Sequence, residues 1–252
     1  MKSGRIFISI ASFCDPMLNF TVKSALEKAR FPERLAFGII DQCFSSAEAD
    51  LPRGKWRMAY VLIDPHHSRG ASWARSLAMT LYSEEDYFLQ IDSYTCFDRN
   101  WDITLIDTIE TIAANNGNDK IVVSTRPFTF EVGSDGAIKK GRFTPCTLKM
   151  VPKSNTIDLA DPVVLFSCEN SKEMRDIPGF QVSAAFLFTR GHFGLCRKFL
   201  QSLQKGLSLD TLMQRAQRIA EMRIGQWLKI AACGSCGPLR CHPGSLTHTG
   251  RI

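Results

Sequence analysis

Apolar and polar positions alternate in blocks through the first half of the chain, and each block predicts one strand or one helix. Strands of a buried parallel sheet are typically near-continuous apolar runs rich in β-branched and aromatic residues. Such runs occupy residues 5–12, 35–40, 58–63, 87–91 and 120–124. Apolar residues at helical spacing predict helices at residues 19–29, 70–82 and 101–114, with Asn19 as candidate N-cap of the first. Strands alternating with helices of this length predict an α/β fold with a central, mostly parallel sheet flanked by helices.

The pattern changes after Arg126, where the predicted elements become short. Two β-rich stretches, residues 128–132 and 137–140, flank a Gly-Ser-Asp-Gly turn and predict a hairpin. Further along, the pattern predicts β segments at residues 163–167 and 184–188 and helices at residues 192–203 and 209–232. The Gly, Pro, Ser and Cys content of residues 234–252 is typical of a loose tail. We expect one domain over residues 1–204, followed by a helical segment and this tail over residues 205–252.

Composition narrows the class of protein without identifying it. The 252 residues are 44% hydrophobic and 22% charged, which suits a soluble globular domain. The net charge of +6 is dispersed along the chain, so we expect no nucleic-acid partner. The nine cysteines stand mostly alone in apolar stretches, as free thiols do in a reducing compartment. No apolar run reaches the length of a signal peptide core or a membrane span, so we expect a cytoplasmic protein.

The most informative polar residue is Asp92, which ends the predicted strand at residues 87–91. Ligands of open parallel sheets bind at the carboxyl ends of the strands. A carboxylate there can hold a divalent cation, and the cation can neutralise a diphosphate leaving group. The alternative is that Asp92 caps the turn after the strand.

Polar residues near the starts of two helices strengthen the interpretation of Asp92 as part of a ligand-binding site. Arg69, Gly70 and Arg75 lie around the start of the helix before Asp92, and a helix N-terminus with guanidinium groups nearby suits a phosphate. Ser12 and Asp15 follow the first strand, where a hydroxyl and a carboxylate could bind a nucleotide. Surface packing of Arg75 and turn chemistry for Ser12 and Asp15 remain open as alternatives.

An ordered set of these motifs resembles a known family. The set comprises Ile6-Phe7-Ile8-Ser9-Ile10-Ala11-Ser12, Asp15-Pro16, Phe37-Gly38-Ile39 with Gln42, Arg69-Gly70 with Ala74-Arg75, Tyr87-Phe88-Leu89-Gln90-Ile91-Asp92-Ser93, Phe97, and Trp101-Asp102. Together, across residues 5–201, they resemble the N-acetylglucosaminyltransferase family that includes cytoplasmic enzymes modifying protein hydroxyproline.

The resemblance implies a GT-A fold, a UDP-sugar donor such as UDP-GlcNAc, a divalent metal (Mn or Mg), and transfer to an acceptor hydroxyl with retention. It places Gln90 and Ser93 beside Asp92 in the donor site and makes Asp92 the metal ligand. It identifies neither a catalytic residue nor the acceptor, which could be a protein or a glycan.

The chain departs from the family pattern in two places. Tyr94 stands where the family has a metal-binding histidine, and a neutral phenol is a poor ligand, so Asp92 would need help from water or Asp98. Beyond Gln201 the family's acidic segment has no counterpart, and we interpret residues 205–252 as truncated or frame-altered. An alternative function is therefore a catalytically defective homologue that at most binds UDP-sugar.

Two other chemistries fit less well. A dinucleotide-binding oxidoreductase would need a G-x-G-x-x-G motif after the first strand, and none is present. Cys233, Cys236, Cys241 and His242 are of ligand type for zinc, but their spacing is short and their Gly- and Pro-rich surroundings offer little core. His66 and His67 are predicted in a solvated loop.

Overall fold

The structure is a computed structural model that describes residues 4–125, 127–133, 137–140, 148–152, 166–170, 176–179, 182–191, 229–232 and 239–241. In chain order its elements are β1 (Ile6–Phe13), α1 (Leu18–Lys28), β2 (Leu35–Gln42), β3 (Arg57–Ile63), α2 (Ala71–Thr80), β4 (Tyr87–Asp92), β5 (Thr95–Phe97), α3 (Trp101–Asn116), β6 (Ile121–Ser124), β7 (Phe130–Val132), β8 (Ile138–Lys140), β9 (Leu148–Pro152), β10 (Phe166–Asn170), β11 (Ile177–Gly179), β12 (Phe186–Arg190), β13 (Lys229–Ala232) and β14 (Leu239–Cys241). Short 3-10 helices cover Pro32–Arg34, Glu48–Asp50 and Pro65–His67.

Within the described residues, eight strands form one sheet in the order β11-β13-β6-β12-β4-β1-β2-β3. Strands β4, β1, β2 and β3 run parallel. Strand β12 is antiparallel to both of its neighbours, β4 and β6. The sheet is thus mixed but mostly parallel at its centre and carries helices on its faces, which confirms the predicted α/β class.

The two faces of the sheet are filled by different helices. One face carries the larger core, in which Ile10 and Ile91 of the central strands pack with residues of α1 and α3, among them the fully buried Trp101. On the other face, Ile40 packs with Ala74 and with other residues of α2. Because successive side chains of a strand point to opposite faces, each parallel strand must be apolar at nearly every position. This is why the strands were readable as continuous apolar runs.

The parallel strands β1, β2, β3 and β4 bring their carboxyl ends to one edge of the sheet. The register pairs Ala11 with Ile40 and Asp92, and pairs Ser12 with Asp41. This edge is called the carboxyl edge below.

Two local expectations need correction. Helix α1 begins at Leu18 with Met17 at its N-cap and no side-chain cap, so Asn19 is not the N-cap. The carboxylate of Asp15 accepts from the Met17 backbone N–H instead, at 2.8 Å. Lys229–Ala232, predicted as the end of a helix, forms strand β13 parallel to β6, because pairing with a buried strand can outweigh helical propensity.

In the predicted tail, Leu239–Cys241 forms strand β14, antiparallel to β5. The rest of the tail, the predicted helix at residues 192–203, and Cys233, Cys236 and His242 lie outside the described residues. The hairpin is confirmed, since β7 and β8 pair antiparallel. Among the described residues no helix combines the length and the apolar character that crossing a membrane requires. The boundary at residue 204 stays a prediction.

Candidate functional site

An ion pair between Arg75 and Asp92 joins helix α2 to the end of β4 at the carboxyl edge. Arg75 Nη2 donates to Asp92 Oδ1 at 2.8 Å, and the side chains are 20% and 15% exposed. Asp92 projects from the α2 face, because its register partners Ala11 and Ile40 pack against that helix. A charge-assisted hydrogen bond in this mostly buried position holds the guanidinium at the end of the sheet.

Arg75 retains unused hydrogen-bonding capacity. Its Nε is buried and has no hydrogen-bond partner among the residues that the structure describes. Buried polar atoms in native proteins are nearly always paired, so one without a partner at a rim of strand ends is a candidate contact for a ligand. An anion with several oxygens, such as a phosphate, would satisfy it.

Helix α2 begins at this same edge, just after Gly70. Gly70 occupies the N-cap position with φ +89° and ψ 173°, a conformation that side-chain-bearing residues rarely adopt. Apart from Gly70 and its immediate chain neighbours, no heavy atom of the described residues lies within 4 Å of where its Cβ would stand. The start of the helix is therefore open to a ligand, and its backbone N–H groups favour a negative charge. Arg69 is exposed beside it.

On the opposite face of the sheet, Ser93 and Asp15 form a second polar pair. Ser93 Oγ donates to Asp15 Oδ2 at 2.5 Å. Thr21 of α1 holds the same segment, since its Oγ1 donates to the Ser93 carbonyl at 2.6 Å and accepts from the Thr95 backbone N–H at 2.8 Å. Helix α1 thus fixes the chain directly after Asp92, and Asp15 is placed over the end of β1.

Gln42 ties the ends of three chain segments together at the carboxyl edge. It is buried at the end of β2, where its Nε2 donates to the Ser12 carbonyl at 3.0 Å. Its Oε1 accepts from Ser68 Oγ at 2.6 Å, two residues before Gly70. Ser12 itself is fully buried, and in the described part of the chain its Oγ has no hydrogen-bond partner. Gln42 therefore sets the position of the loop before α2 relative to β1.

Asp41 and Tyr60 extend this polar layer toward β3. Tyr60 OH donates to Asp41 Oδ2 at 2.7 Å and accepts from the Ala47 backbone N–H at 3.0 Å. Burial raises the pKa of the Tyr60 phenol, and the Asp41 carboxylate adds to this. The phenol therefore stays protonated at neutral pH and keeps donating to Asp41.

The side chain of Gln90 contacts the chain before β12 and not the polar side chains at the carboxyl edge. Its side-chain Nε2 donates to the Ala184 carbonyl at 2.9 Å, just before β12 begins. It points to the same face as Asp92, two positions along β4. Gln90 thus links the parallel half of the sheet to the antiparallel strand beside it.

The described residues contain no group of three His, Cys, Asp or Glu side chains that could hold a metal ion. The side chain of Asp92 is mostly buried and one of its oxygens accepts from Arg75. A single carboxylate suits a Mg²⁺-like ion whose other ligands are waters and substrate phosphates. His66 is exposed and its ring lies 2.9 Å from Asp64 Oδ1, but it belongs to the short 3-10 helix Pro65–His67 rather than to the predicted loop.

The structure brings most of the predicted residues to one edge, but as two groups. Arg75 and Asp92 meet on the α2 face, whereas Asp15 and Ser93 meet on the α1 face. Arg69 is at the start of α2, and no ion pair in the described part of the chain joins it to Asp92. Sequence reasoning missed the linking roles of Gln42, Ser68, Thr21, Asp41 and Tyr60. Asp41 and Gln42 carried a usable signal, because they end an apolar strand as Asp92 does.

A family model described as "Glycosyltransferase (GlcNAc)" matches residues 46–199. No curated protein matches.

Two solved structures that the chain resembles are of S. aureus TarS. One, of TarS 1-349, has a TM-score of 0.41 and 15% identity, and covers 77% of this chain and 48% of that one. The other, of TarS 1-349 in complex with UDP-GlcNAc, has a TM-score of 0.41 and 13% identity, and covers 77% and 47%. The chain therefore spans about half the length of these structures.

Proposed function

The chain belongs to the Glycosyltransferase (GlcNAc) family, and from this premise we propose that it transfers N-acetylglucosamine from UDP-GlcNAc to an acceptor hydroxyl. The observation that carries the proposal is the ion pair of Arg75 with Asp92 at the carboxyl edge, with a buried Arg75 Nε that has no partner among the described residues. A family of sugar transferases needs a site for a nucleotide diphosphate, and this edge combines the groups that such a site requires.

The diphosphate would bind on the α2 face. Arg75 would donate to its oxygens, and the start of α2 at Gly70 would add backbone N–H groups and the positive end of the helix dipole. Arg69, exposed beside Gly70, would add a second positive charge. This arrangement neutralises the leaving group as the bond to the sugar breaks.

The uridine would bind toward the α1 face. Asp15 offers a carboxylate that can accept from a base or ribose hydroxyl, and Ser93 holds that carboxylate in place. Ser12 Oγ, buried without a partner among the described residues, would donate to the same ligand. The nucleotide would thus span the strand ends between the two polar pairs. Gln90 would help to position β4 through its hydrogen bond to the Ala184 carbonyl.

The divalent metal, Mn or Mg, would be held by Asp92 together with the donor phosphates. When bound, it would supply Lewis-acid stabilisation of the UDP leaving group. Tyr94 in place of the family histidine predicts a weak ion site that forms fully only with the nucleotide. Arg75, which contacts the same carboxylate, would also help to neutralise the negative charge of the diphosphate.

Three finer properties belong to the proposal. They are a GT-A type of donor-binding domain, retention at the anomeric carbon, and membership of the hydroxyproline-modifying type of the family, with a protein or glycan hydroxyl as the acceptor. Their support is the ordered set of motifs from Ile6 to Asp102. A retaining transferase of this kind needs no evident side-chain nucleophile. We therefore assign neither a nucleophile nor a catalytic base.

A second candidate is a homologue that binds UDP-sugar but does not transfer it. One observation favours it: the family match ends at residue 199, so residues 205–252 lie beyond the matched region. An acceptor site built from that part of the family pattern would be missing here.

Calorimetric titration of UDP-GlcNAc with and without Mn²⁺, on the wild type, Asp92→Asn and Asp107→Asn, tests the proposal. Asp107 is an exposed residue of α3, so it provides the same substitution away from the carboxyl edge. Metal-enhanced binding that is weakened in Asp92→Asn and unchanged in Asp107→Asn is expected, with slow release of UDP by hydrolysis. No binding by the folded wild type would refute the proposed donor site, and binding without turnover on any acceptor hydroxyl would support the second candidate.

A further inference from the structure

Cys14 and Cys43 follow directly after two neighbouring strands at the carboxyl edge. The parallel pairing of β1 and β2 ends with Phe13 opposite Gln42. The ladder continues one step, since the Cys14 backbone N–H donates to the Gln42 carbonyl at 3.0 Å. Cys43 is held likewise, by a bond from its N–H to the Ile63 carbonyl at 3.1 Å. The two cysteines are therefore adjacent across the strands.

This spacing is compatible with a disulfide. Neighbouring strands lie roughly 4.7–4.9 Å apart, inside the range of about 4.4–6.8 Å that separates the Cα atoms of bonded cysteines. Cys14 has φ +46°, and its Sγ lies 3.5 Å from the Gln42 carbonyl oxygen, so the thiol is turned toward the end of β2. Burial and then the neighbouring Cys43 thiol raise the pKa of the Cys14 thiol.

Both thiols are reachable from solvent. Cys14 is exposed, Cys43 is half-exposed, and neither forms a disulfide in this structure. Cys96 is free but buried, which makes it an internal comparison.

We propose that Cys14 and Cys43 are a reversible disulfide site, oxidised by a peroxide and reduced by a dithiol. The sulfur of one cysteine loses its proton and attacks one oxygen of hydrogen peroxide; the O–O bond breaks, the leaving hydroxide takes up a proton as water, and a sulfenic acid remains. The other thiol then attacks the sulfenic sulfur, the S–O bond breaks, and a second water leaves. Two thiols and one peroxide give one disulfide and two waters, with two electrons passing from sulfur to peroxide oxygen.

The bond would join the residue before Asp15 to the residue after Gln42. It would make residues 14–43 a covalently closed loop and would restrain the two segments that leave β1 and β2 at the carboxyl edge. The disulfide itself does not depend on the proposed donor site, so the test below stands whether or not UDP-GlcNAc binds.

Peptide mapping of the wild-type protein tests the proposal. Trypsin places Cys14 in a peptide of residues 6–23 and Cys43 in one of residues 35–53, each with a single cysteine. The protein is treated with hydrogen peroxide, alkylated with iodoacetamide, and its monomeric fraction is digested without reductant. We expect the linked pair of peptides to appear and the alkylated form of each peptide to be lost. Both alkylated peptides should return when the oxidised protein is reduced with dithiothreitol before alkylation.

Two variants complete the design. Cys43→Ser should abolish the linked species, whereas Cys96→Ser should leave it unchanged. The proposal is overturned if both wild-type peptides stay alkylated in peroxide-treated protein of unchanged circular dichroism. It is also overturned if Cys14 is linked only to other cysteines, or if the linked pair occurs only in disulfide-linked dimers and not in the monomeric fraction.

Discussion

The Arg75–Asp92 pair allows a quantitative prediction that separates its structural role from its proposed role in donor binding. Arg75→Met removes the guanidinium but keeps an apolar stem to pack against the sheet. Asp92→Asn removes the charge but keeps an oxygen that can accept. With the double variant, these form a double-mutant cycle that isolates the energy of the pair.

The magnitude follows from the position of the pair. Exposed ion pairs contribute about 0.2–1 kcal/mol, whereas losing one partner of a fully buried pair costs about 3–5 kcal/mol. Here the side chains are 20% and 15% exposed and the atoms are 2.8 Å apart. The pair lies between these limits, so we expect a coupling free energy of about 1–2 kcal/mol at low salt, partly screened as salt is added.

Urea unfolding followed by circular dichroism measures the free energy of unfolding of the four proteins. The Arg57–Glu85 pair is the matched control: its atoms are 2.6 Å apart, but Arg57 begins β3 at the opposite edge of the sheet and is 41% exposed. Arg57→Met should cost some stability yet leave UDP-GlcNAc affinity unchanged, whereas Arg75→Met should weaken that affinity at least about tenfold, or about 1.4 kcal/mol. A coupling free energy within about 0.3 kcal/mol of zero would refute the argument from burial. Equal affinity losses in both Met variants would refute the assignment of Arg75 to the donor site.

The remaining predictions concern packing, a buried carboxylate and a thiol. Gly38→Ala should lower the free energy of unfolding by about 1–3 kcal/mol in urea titrations, because its Cβ would stand 2.3 Å from Cζ of the fully buried Phe7. Asp102→Ala should cost about 2–4 kcal/mol in the same assay, since its two oxygens accept from the backbone N–H groups of Arg30 and Phe31 at 2.8 and 2.9 Å, and both donors would lose their acceptor. Alkylation of Cys14 by iodoacetamide should rise with pH through a midpoint above that of an ordinary cysteine, because burial and then Cys43 raise its pKa and the thiolate is the reacting form.

Each of these predictions has its own comparison. The Gly38→Ala penalty should shrink in a Phe7→Leu background, and an undiminished penalty would show that the ring is not its cause. Asp107→Ala, at an exposed position of α3, should change stability by less than about 0.5 kcal/mol; an equal loss there would contradict the role given to Asp102. Cys43→Ser should lower the alkylation midpoint of Cys14, and an unchanged midpoint would mean that the two thiols do not interact.

The sequence alone was enough for the parallel half of the sheet, because each strand there is covered by helices on both faces. A strand such as Ile6–Phe13 must then be apolar at almost every position, and a helix such as Trp101–Asn116 must carry an apolar stripe. Both patterns are local. The carboxylate of Asp92 was found in the same way, as the first acidic residue after such a run.

The tertiary structure decided which side of the sheet each polar residue serves. Asp92 and Ser93 are neighbours in the chain, but one meets Arg75 of α2 and the other meets Asp15 before α1. Gln42 reaches Ser68, 26 positions away. Such partners depend on strand order and register, which arise from contacts between distant segments and leave no period in the sequence.

The same reason explains what the sequence could not predict beyond the first half. Lys229–Ala232 is a strand because β6 offers it a parallel partner more than a hundred residues away, although its own neighbourhood favours a helix. Strand β12 overlaps the β segment predicted at residues 184–188, but no local pattern indicates its antiparallel position between β4 and β6. Local hydrophobic periodicity therefore determined the strands and helices of this chain and the carboxylate of its candidate site, whereas long-range pairing decided how the polar residues of that site are combined.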